Sequence, residues 1–376
     1  LEHKCFFWWI SNIKSDMTKD ELYSKIAEML PVENTDSKPF RILLSDSLKT
    51  YLSYINKTEG IGDEDKKEVA YICEAIKAIV KAQYKGLHAQ AFRKLSNLFS
   101  GKTGHKGFGN ILFVSQLEAN NSFYRARVHS GTKKFTYKDM FHIPFSKRGI
   151  VQTQRYSFPG YPCLYVGESV YACWEEMHRV DFDLCMISRV ENQKDIGLLD
   201  MRIPDKNDFD KHMISTLYFF PLLLSCMVVV SNRDDVFKPE YIIPQLVTEW
   251  VITHNDKPET KKKNVLIYGI RYTSSLKTDE FEFPKSKLDN IALFPIDALG
   301  ANGNKYCPKL VDNFSITNPT CNEFEKLKCG YDIDLGKAGY DDKDFELFAN
   351  YELSDFGQLE KRLCDTNKFP LYKMSN

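Results

Sequence analysis

The chain has 376 residues, of which 43% are hydrophobic, and its 51 lysine and arginine residues balance 51 aspartate and glutamate residues. This composition is typical of a globular protein with a sizeable core and argues against a disordered chain. Zero net charge provides no broad attraction to nucleic acid or to an anionic membrane, so neither is expected as a partner.

Ten cysteines are spread along the chain without a CxxC pair, and the eight histidines form no HExxH motif. Because zinc-binding spacing is absent, we expect no metal ion. Scattered thiols fit a reducing compartment better than a disulfide framework. A secretory signal would show as a basic stretch followed by an apolar one, and the sequence does not show that pattern. We therefore expect a cytoplasmic protein.

Residues 1–115 are predicted to form a helical N-terminal region. Between Glu64 and Phe99, apolar residues recur at the spacing of a helix with one buried face, and Gly86 interrupts the pattern. Residues 100–110 contain a GKT triplet, but Ser96 stands where a phosphate-binding loop needs glycine, and a helical pattern precedes it. We therefore expect a linker at 100–110.

The middle of the chain consists of short apolar or aromatic runs separated by Gly, Pro and Asn turns. These runs predict strands, with helices at about 169–180 and 240–253, and together they indicate an α+β fold. The predicted strand segments are ILFVSQL, FYRARV, CLYVG, DLCMISRV, VLIYGIRY and NIALFP.

Met213–Ser231 carries no charge and approaches the length of a bilayer span. Pro221 lies near its centre, and a proline-broken lone span makes a poor membrane helix. The segment is therefore predicted to be core, as a helix that ends near Phe220 followed by a buried strand, CMVVV. No membrane association is expected.

Residues 301–376 are polar and rich in tyrosine. Within them, GYDIDLGKAGYDDKDFELF (330–348) is locally acidic. We expect a loosely attached C-terminal extension.

Five short motifs follow one another between residues 120 and 297, and their order resembles the RES domain. That family is named for its Arg, Glu and Ser, and it is the toxin half of bacterial Xre–RES toxin–antitoxin pairs. In chain order the motifs are FYRAR, QRYSFPGYPCLY, ES with CWEE, GIRYTSS, and NIALF.

Two family motifs can be placed residue by residue. The Tyr-Pro-Ser motif resembles Tyr272, Thr273 and Ser274, with threonine in place of proline. In the turn motif, tyrosine replaces the family's tryptophan. The turn motif resembles Arg155, Tyr156, Ser157, Gly160, Pro162, Leu164 and Tyr165.

The resemblance implies a mixed α+β fold related to ADP-ribosyltransferase toxins, and a catalytic domain at 116–300. It also implies destruction of NAD+ by cleavage of the bond between nicotinamide and ribose, with phosphate or water as acceptor and no metal. The protein would act as a growth-arresting toxin or an anti-phage effector. Toxins of this type are usually restrained by a separate antitoxin. Residues 1–115 would then regulate the enzyme or mediate homo-oligomerisation.

The chemistry of NAD+ suits the residues at these positions. Arg125 offers a permanently charged donor for the diphosphate. Tyr165 can present an aromatic face to nicotinamide. A carboxylate such as Glu176 can stabilise the developing ribose cation. Ser274 could orient that glutamate or the nicotinamide amide. Two further residues are predicted to bind substrate, namely Arg155 and Tyr156.

Glu175 and Glu176 are adjacent, and helical geometry is used to choose between them. A helix that begins after Ser169 buries a stripe next to Glu176 and turns Glu175 away from it. Glu176 is therefore predicted to be catalytic and Glu175 solvent-exposed. The buried stripe comprises Val170, Cys173, Trp174 and Met177.

Two other functions are left open. The chain could transfer ADP-ribose to a macromolecule, which would label protein or nucleic acid. It could instead be a non-catalytic sensor that binds NAD+ without turnover.

Tyr241 and Gln245 are expected to fix the helix near residue 240.

Overall fold

A computed structural model describes residues 17–101, 104–108, 114–129, 135–263, 265–275, 285–296, 305–329 and 351–371. In chain order the helices are α1 (Lys19–Glu28), α2 (Phe40–Lys57), α3 (Asp63–Tyr84), α4 (His88–Ser100), α5 (Val170–Glu176), α6 (Lys206–Lys211), α7 (Met213–Cys226), α8 (Ile242–Asp256), α9 (Pro258–Lys263), α10 (Pro308–Asn313), α11 (Asn322–Cys329) and α12 (Asp355–Cys364). The strands are β1 (Val114–Leu117), β2 (Ser122–Val128), β3 (Leu164–Gly167), β4 (Cys185–Asn192), β5 (Ile196–Met201), β6 (Ile267–Thr273), β7 (Asp289–Leu293), β8 (Phe314–Thr317) and β9 (Lys368–Pro370).

The chain divides into two compact units. One comprises Leu1–Ile111 with Ile203–Ser231, and the other comprises Leu112–Arg202 with Asn232–Asn376. This division differs from the three regions expected from sequence, because 203–231 belongs with the N-terminal helices and the C-terminal residues belong with the middle of the chain.

The predicted helices between Glu64 and Phe99 are present as α3 and α4. Gly86, between them, has a φ of +73°, in the left-handed region that favours glycine. Part of the predicted linker is described, and there Phe108 is buried and packs against Phe99. Residues 102–103 and 109–110 of that linker lie outside the described part of the chain.

Met213–Ser231 is largely buried, as predicted, but its local structure differs from the prediction. Helix α7 continues through Pro221 to Cys226, and Val228 makes a single bridge to Val32 where a strand was expected. A proline cannot donate to the carbonyl four residues earlier, which here belongs to Leu217. The Tyr51 hydroxyl donates to that carbonyl over 2.8 Å and replaces the missing helical bond. No helix in the described ranges is long and apolar enough to cross a membrane.

The described strands of the second unit form one nine-stranded mixed sheet in the order β1-β5-β6-β7-β3-β2-β4-β8-β9. Strands β5 and β6 are parallel, and the other neighbouring pairs are antiparallel. The prediction of an α+β fold with a mixed sheet and a helical N-terminal region is confirmed. Strands β5, β8 and β9 were not predicted.

The C-terminal residues take part in this unit, whereas a loose extension was expected. Strand β8 pairs with β4, β9 pairs with β8, and α12 packs against α5 through a shared apolar cluster. The acidic segment 330–348 lies outside the described residues. The end of the chain therefore supports the helix that carries Glu175 and Glu176.

Candidate active site

Three elements bring polar side chains to one carboxylate oxygen. Glu176 ends α5, Ser274 follows β6, and Asn290 is on β7. The Ser274 hydroxyl donates to Glu176 Oε1 over 2.7 Å, and Asn290 Nδ2 donates to the same oxygen over 3.1 Å. Ser274 and Asn290 thus anchor Oε1, whereas Oε2 accepts no hydrogen bond within the described residues.

The start of α5 is fixed by its own sequence and by one contact from α12. Ser169 is the N-cap, as predicted, and its hydroxyl accepts a hydrogen bond from Ala172 N over 2.8 Å. A Cβ at Gly167 would lie 2.9 Å from Cys173 Sγ, so only glycine allows the helix to pack this close to the end of β3. Glu360, from α12, accepts a hydrogen bond from Val170 N over 2.6 Å.

The predicted environment of Glu175 is wrong. Glu175 is 2% exposed, and both of its carboxylate oxygens lie 3.1 Å from Arg179 Nε, while Glu176 is the exposed residue of the pair. Glu175 lies one turn after Tyr171, whose ring packs against Phe356 of α12. The helix face assigned to solvent is therefore covered by a part of the chain that was expected to be loose.

Glu176 is exposed as a residue, yet protein atoms closely surround its carboxylate. Desolvation raises the pKa of Glu176, while the Ser274 hydrogen bond and the charges of Arg155 and Arg233 act in the opposite direction. The nearby charge of Glu175 also raises the pKa of Glu176, to a smaller extent. The carboxylate is therefore withdrawn from solvent by its neighbours, although the residue as a whole is exposed.

Arg155 is the cation placed beside this carboxylate. Its guanidinium lies 5.3 Å from the centre of the Tyr241 ring, and its Nη2 donates to Ser275 Oγ over 2.9 Å. Gln245 donates to Thr153 Oγ1 and to nearby backbone carbonyls, which holds the turn that carries Arg155.

Three tyrosines line the same region. The Tyr165 hydroxyl accepts a hydrogen bond from Tyr156 N over 3.2 Å, and the rings of Tyr156 and Tyr272 are 4.8 Å apart. Tyr156 is 1% exposed and Tyr165 is partly exposed, so Tyr165 is the better placed of the two to meet a ligand. Burial raises the pKa of Tyr165 and of Tyr272 well above the usual value, which keeps both hydroxyls protonated.

Arg125 supports the strand that carries Tyr165. Its Nη1 donates to the Tyr165 carbonyl over 2.8 Å, and its buried Nε has no hydrogen-bond partner among the described residues. Desolvation and the neighbouring Arg127 lower the pKa of Arg125 to about 10, so it remains charged at neutral pH. Arg125 thus braces β3 through the Tyr165 carbonyl.

The structure joins Glu176 to Ser274 and Arg125 to Tyr165, and it places Arg155 within electrostatic range of Glu176. Sequence reasoning missed Asn290, although a polar residue at the start of an apolar strand was a usable signal. The described residues contain no group of three His, Cys, Asp or Glu side chains able to hold a metal ion. Eight of the cysteines in the described ranges are free thiols.

Comparison with known proteins gives one informative similarity. No family model and no solved structure matches the chain. The chain is 29% identical to a Bacillus subtilis (strain 168) protein named "Putative toxin YopC", in an alignment that covers 77% of this chain and 67% of that protein. The chain is therefore similar to a protein named as a toxin.

Proposed function

We propose that this protein is a toxin-type enzyme that consumes NAD+ by cleaving the bond between nicotinamide and ribose. The observation that carries the proposal is the state of Glu176. One of its oxygens is held by Ser274 and Asn290, and the other accepts no hydrogen bond from the described part of the chain, with Arg155 within electrostatic range. A fixed carboxylate with one free oxygen suits a reaction that develops positive charge on a sugar.

Loss of nicotinamide leaves the ribose with oxocarbenium character, and the ionised Glu176 would stabilise that charge. Its free oxygen could also accept a hydrogen bond from a ribose hydroxyl. Arg155 and Arg125 supply positive charge for the diphosphate. The partly exposed Tyr165 ring offers a stacking surface for nicotinamide.

The similarity to a protein named as a toxin supports a growth-arresting or anti-phage role. Depletion of NAD+ in the cytoplasm would stop metabolism, so such a chain needs restraint. A separate antitoxin that covers the site around Glu176 is the partner we propose. The helical unit would serve regulation or self-association.

The test is to incubate the purified chain with NAD+, with and without phosphate, and to measure nicotinamide release. Wild type and Glu175→Gln should release nicotinamide, whereas Glu176→Gln should not. No release by wild type, or full release by Glu176→Gln, would overturn the proposal.

Adenine-labelled NAD+ separates this reaction from its alternatives. Free ADP-ribose or its 1″-phosphate is the expected labelled product. Label attached to protein or nucleic acid would indicate a transferase instead. Saturable binding without any product would indicate a sensor.

A further inference from the structure

A small network of hydrogen bonds lies where β6 ends and β7 begins. The Leu288 carbonyl accepts from Ser274 N over 3.0 Å and from Asn290 Nδ2 over 3.3 Å. Ser274 and Asn290 then both donate to Glu176 Oε1. Ser274 and Asn290 are therefore both held by the Leu288 carbonyl as well as by Glu176.

The orientation of the Asn290 amide follows from this network. Nδ2 carries two hydrogens, and it faces two acceptors, the Leu288 carbonyl and Glu176 Oε1. A flipped amide would place its oxygen against both acceptors. Asn290 is also 4% exposed and lies in register with Tyr272 and Gly167 on the flanking strands, which leaves it little freedom.

We propose that Asn290 is a positioning residue for Glu176. It commits Oε1 together with Ser274, so that Oε2 is the oxygen presented to the sugar, and its N–H favours the ionised carboxylate. The kinetic part of this inference rests on the proposed cleavage of NAD+. The effect on the carboxylate itself does not.

Several other groups act on the same carboxylate and must be held constant. Arg155 and Arg233 favour its ionised form, and Glu175 opposes it. Tyr241 and Tyr272 also interact with it electrostatically. Changes at Asn290 leave all five in place, so a shift in the titration of Glu176 reports on the amide.

The test compares Asn290→Leu, which removes the donor at similar size, with Asn290→Asp, which replaces it by an acid. We expect kcat for nicotinamide release to fall about tenfold or more in both variants, with little change in KM. The pKa of the acid limb of the pH profile should rise, and rise further in the Asp variant because like charges repel.

Asn255→Asp is the matched control. Asn255 is another buried asparagine, and it bonds both backbone groups of Ile267 at the far end of β6. We expect it to lose stability without a change in the pH profile. An equal shift of that profile in Asn255→Asp would overturn the inference.

A second readout does not depend on NAD+ turnover. The carboxyl carbons of glutamate are labelled with ¹³C and titrated by NMR, and the Glu176 signal is identified by its loss in Glu176→Gln. A raised pKa of Glu176 in Asn290→Leu supports the inference even if wild type cleaves no NAD+. An unchanged titration, or full kcat in an active Asn290→Leu enzyme, overturns it.

Discussion

The Ser274 hydroxyl donates to Glu176 Oε1 over 2.7 Å, which joins the end of β6 to the end of α5. A hydroxyl that donates to a carboxylate favours the ionised form and fixes its orientation. This contact suits Ser274 to orienting Glu176, although a carboxylate could also accept a proton from a nucleophilic serine. The two roles predict different results when the hydroxyl is removed.

Replacing Ser274 with alanine should lower kcat by about tenfold to a hundredfold without abolishing nicotinamide release. Asn290 still holds Oε1 in that variant, so the carboxylate keeps one of its two donors. Ser274→Thr, which retains a hydroxyl, is the control and should lose less. Mass spectrometry of the enzyme during turnover should detect no adduct on Ser274. An adduct there, or a loss as complete as that of Glu176→Gln, would assign Ser274 the nucleophilic role.

Glu176→Gln should stabilise the protein as the pH rises. Burial raises the pKa of Glu176 in the folded state, so the stability linked to its protonated form is present at acid pH. That contribution is lost as the pH rises through the folded pKa, and glutamine does not ionise. Thermal unfolding measured from pH 4 to pH 8 should show a higher melting temperature for the variant, and the difference from wild type should widen with pH. A gap that narrows with pH would contradict the raised pKa.

Glu175→Gln should have the opposite effect on stability. Glu175 is buried and pairs with Arg179, so losing its charge weakens a charge-assisted contact and should cost about 1–3 kcal/mol in the free energy of unfolding. Nicotinamide release should stay near the wild-type rate. Denaturant unfolding checks the first expectation, and a neutral or stabilising change would count against the contact.

The sequence predicts elements whose pattern is local. Helices α3 and α4 follow from apolar spacing and Gly86, and six strands follow from short apolar runs between turns. The environment of Glu175 could not be predicted, because the apolar cluster around α5 includes residues of α12, which lies almost two hundred residues further along the chain. The continuation of α7 past Pro221 likewise depends on a distant hydroxyl, that of Tyr51.

The candidate site could likewise be predicted only in part from the sequence. Residue types and motif order selected Glu176 and Ser274, which do meet in space. Asn290 stands in the sequence as a polar residue before an apolar run, but no local pattern indicates its side-chain bond to Glu176 at the end of α5. Its detection needs the register of β7 against β3 and β6.

Glu360 should be required for the stability of α5. It accepts hydrogen bonds from Val170 N, at the start of α5, and from the Tyr351 hydroxyl. Glu360→Ala removes the acceptor of Val170 N and should cost about 1–3 kcal/mol, with a parallel loss of nicotinamide release. Glu360→Gln keeps an acceptor oxygen and should lose less in both thermal unfolding and activity. Equal losses in the two variants would show that the hydrogen bonds to Glu360 do not matter.

The Tyr51 hydroxyl should be coupled energetically to Pro221. Tyr51→Phe leaves the buried Leu217 carbonyl without a donor and should cost about 1–3 kcal/mol. Pro221→Ala restores a backbone N–H four residues after Leu217, so the carbonyl regains its helical partner. Tyr51→Phe should therefore cost less in the Pro221→Ala background than in wild type. Denaturant unfolding of the four proteins in this double-mutant cycle measures the difference. Because the cycle subtracts the packing change at residue 221, strict additivity would mean that the hydroxyl does not replace the bond that proline removes.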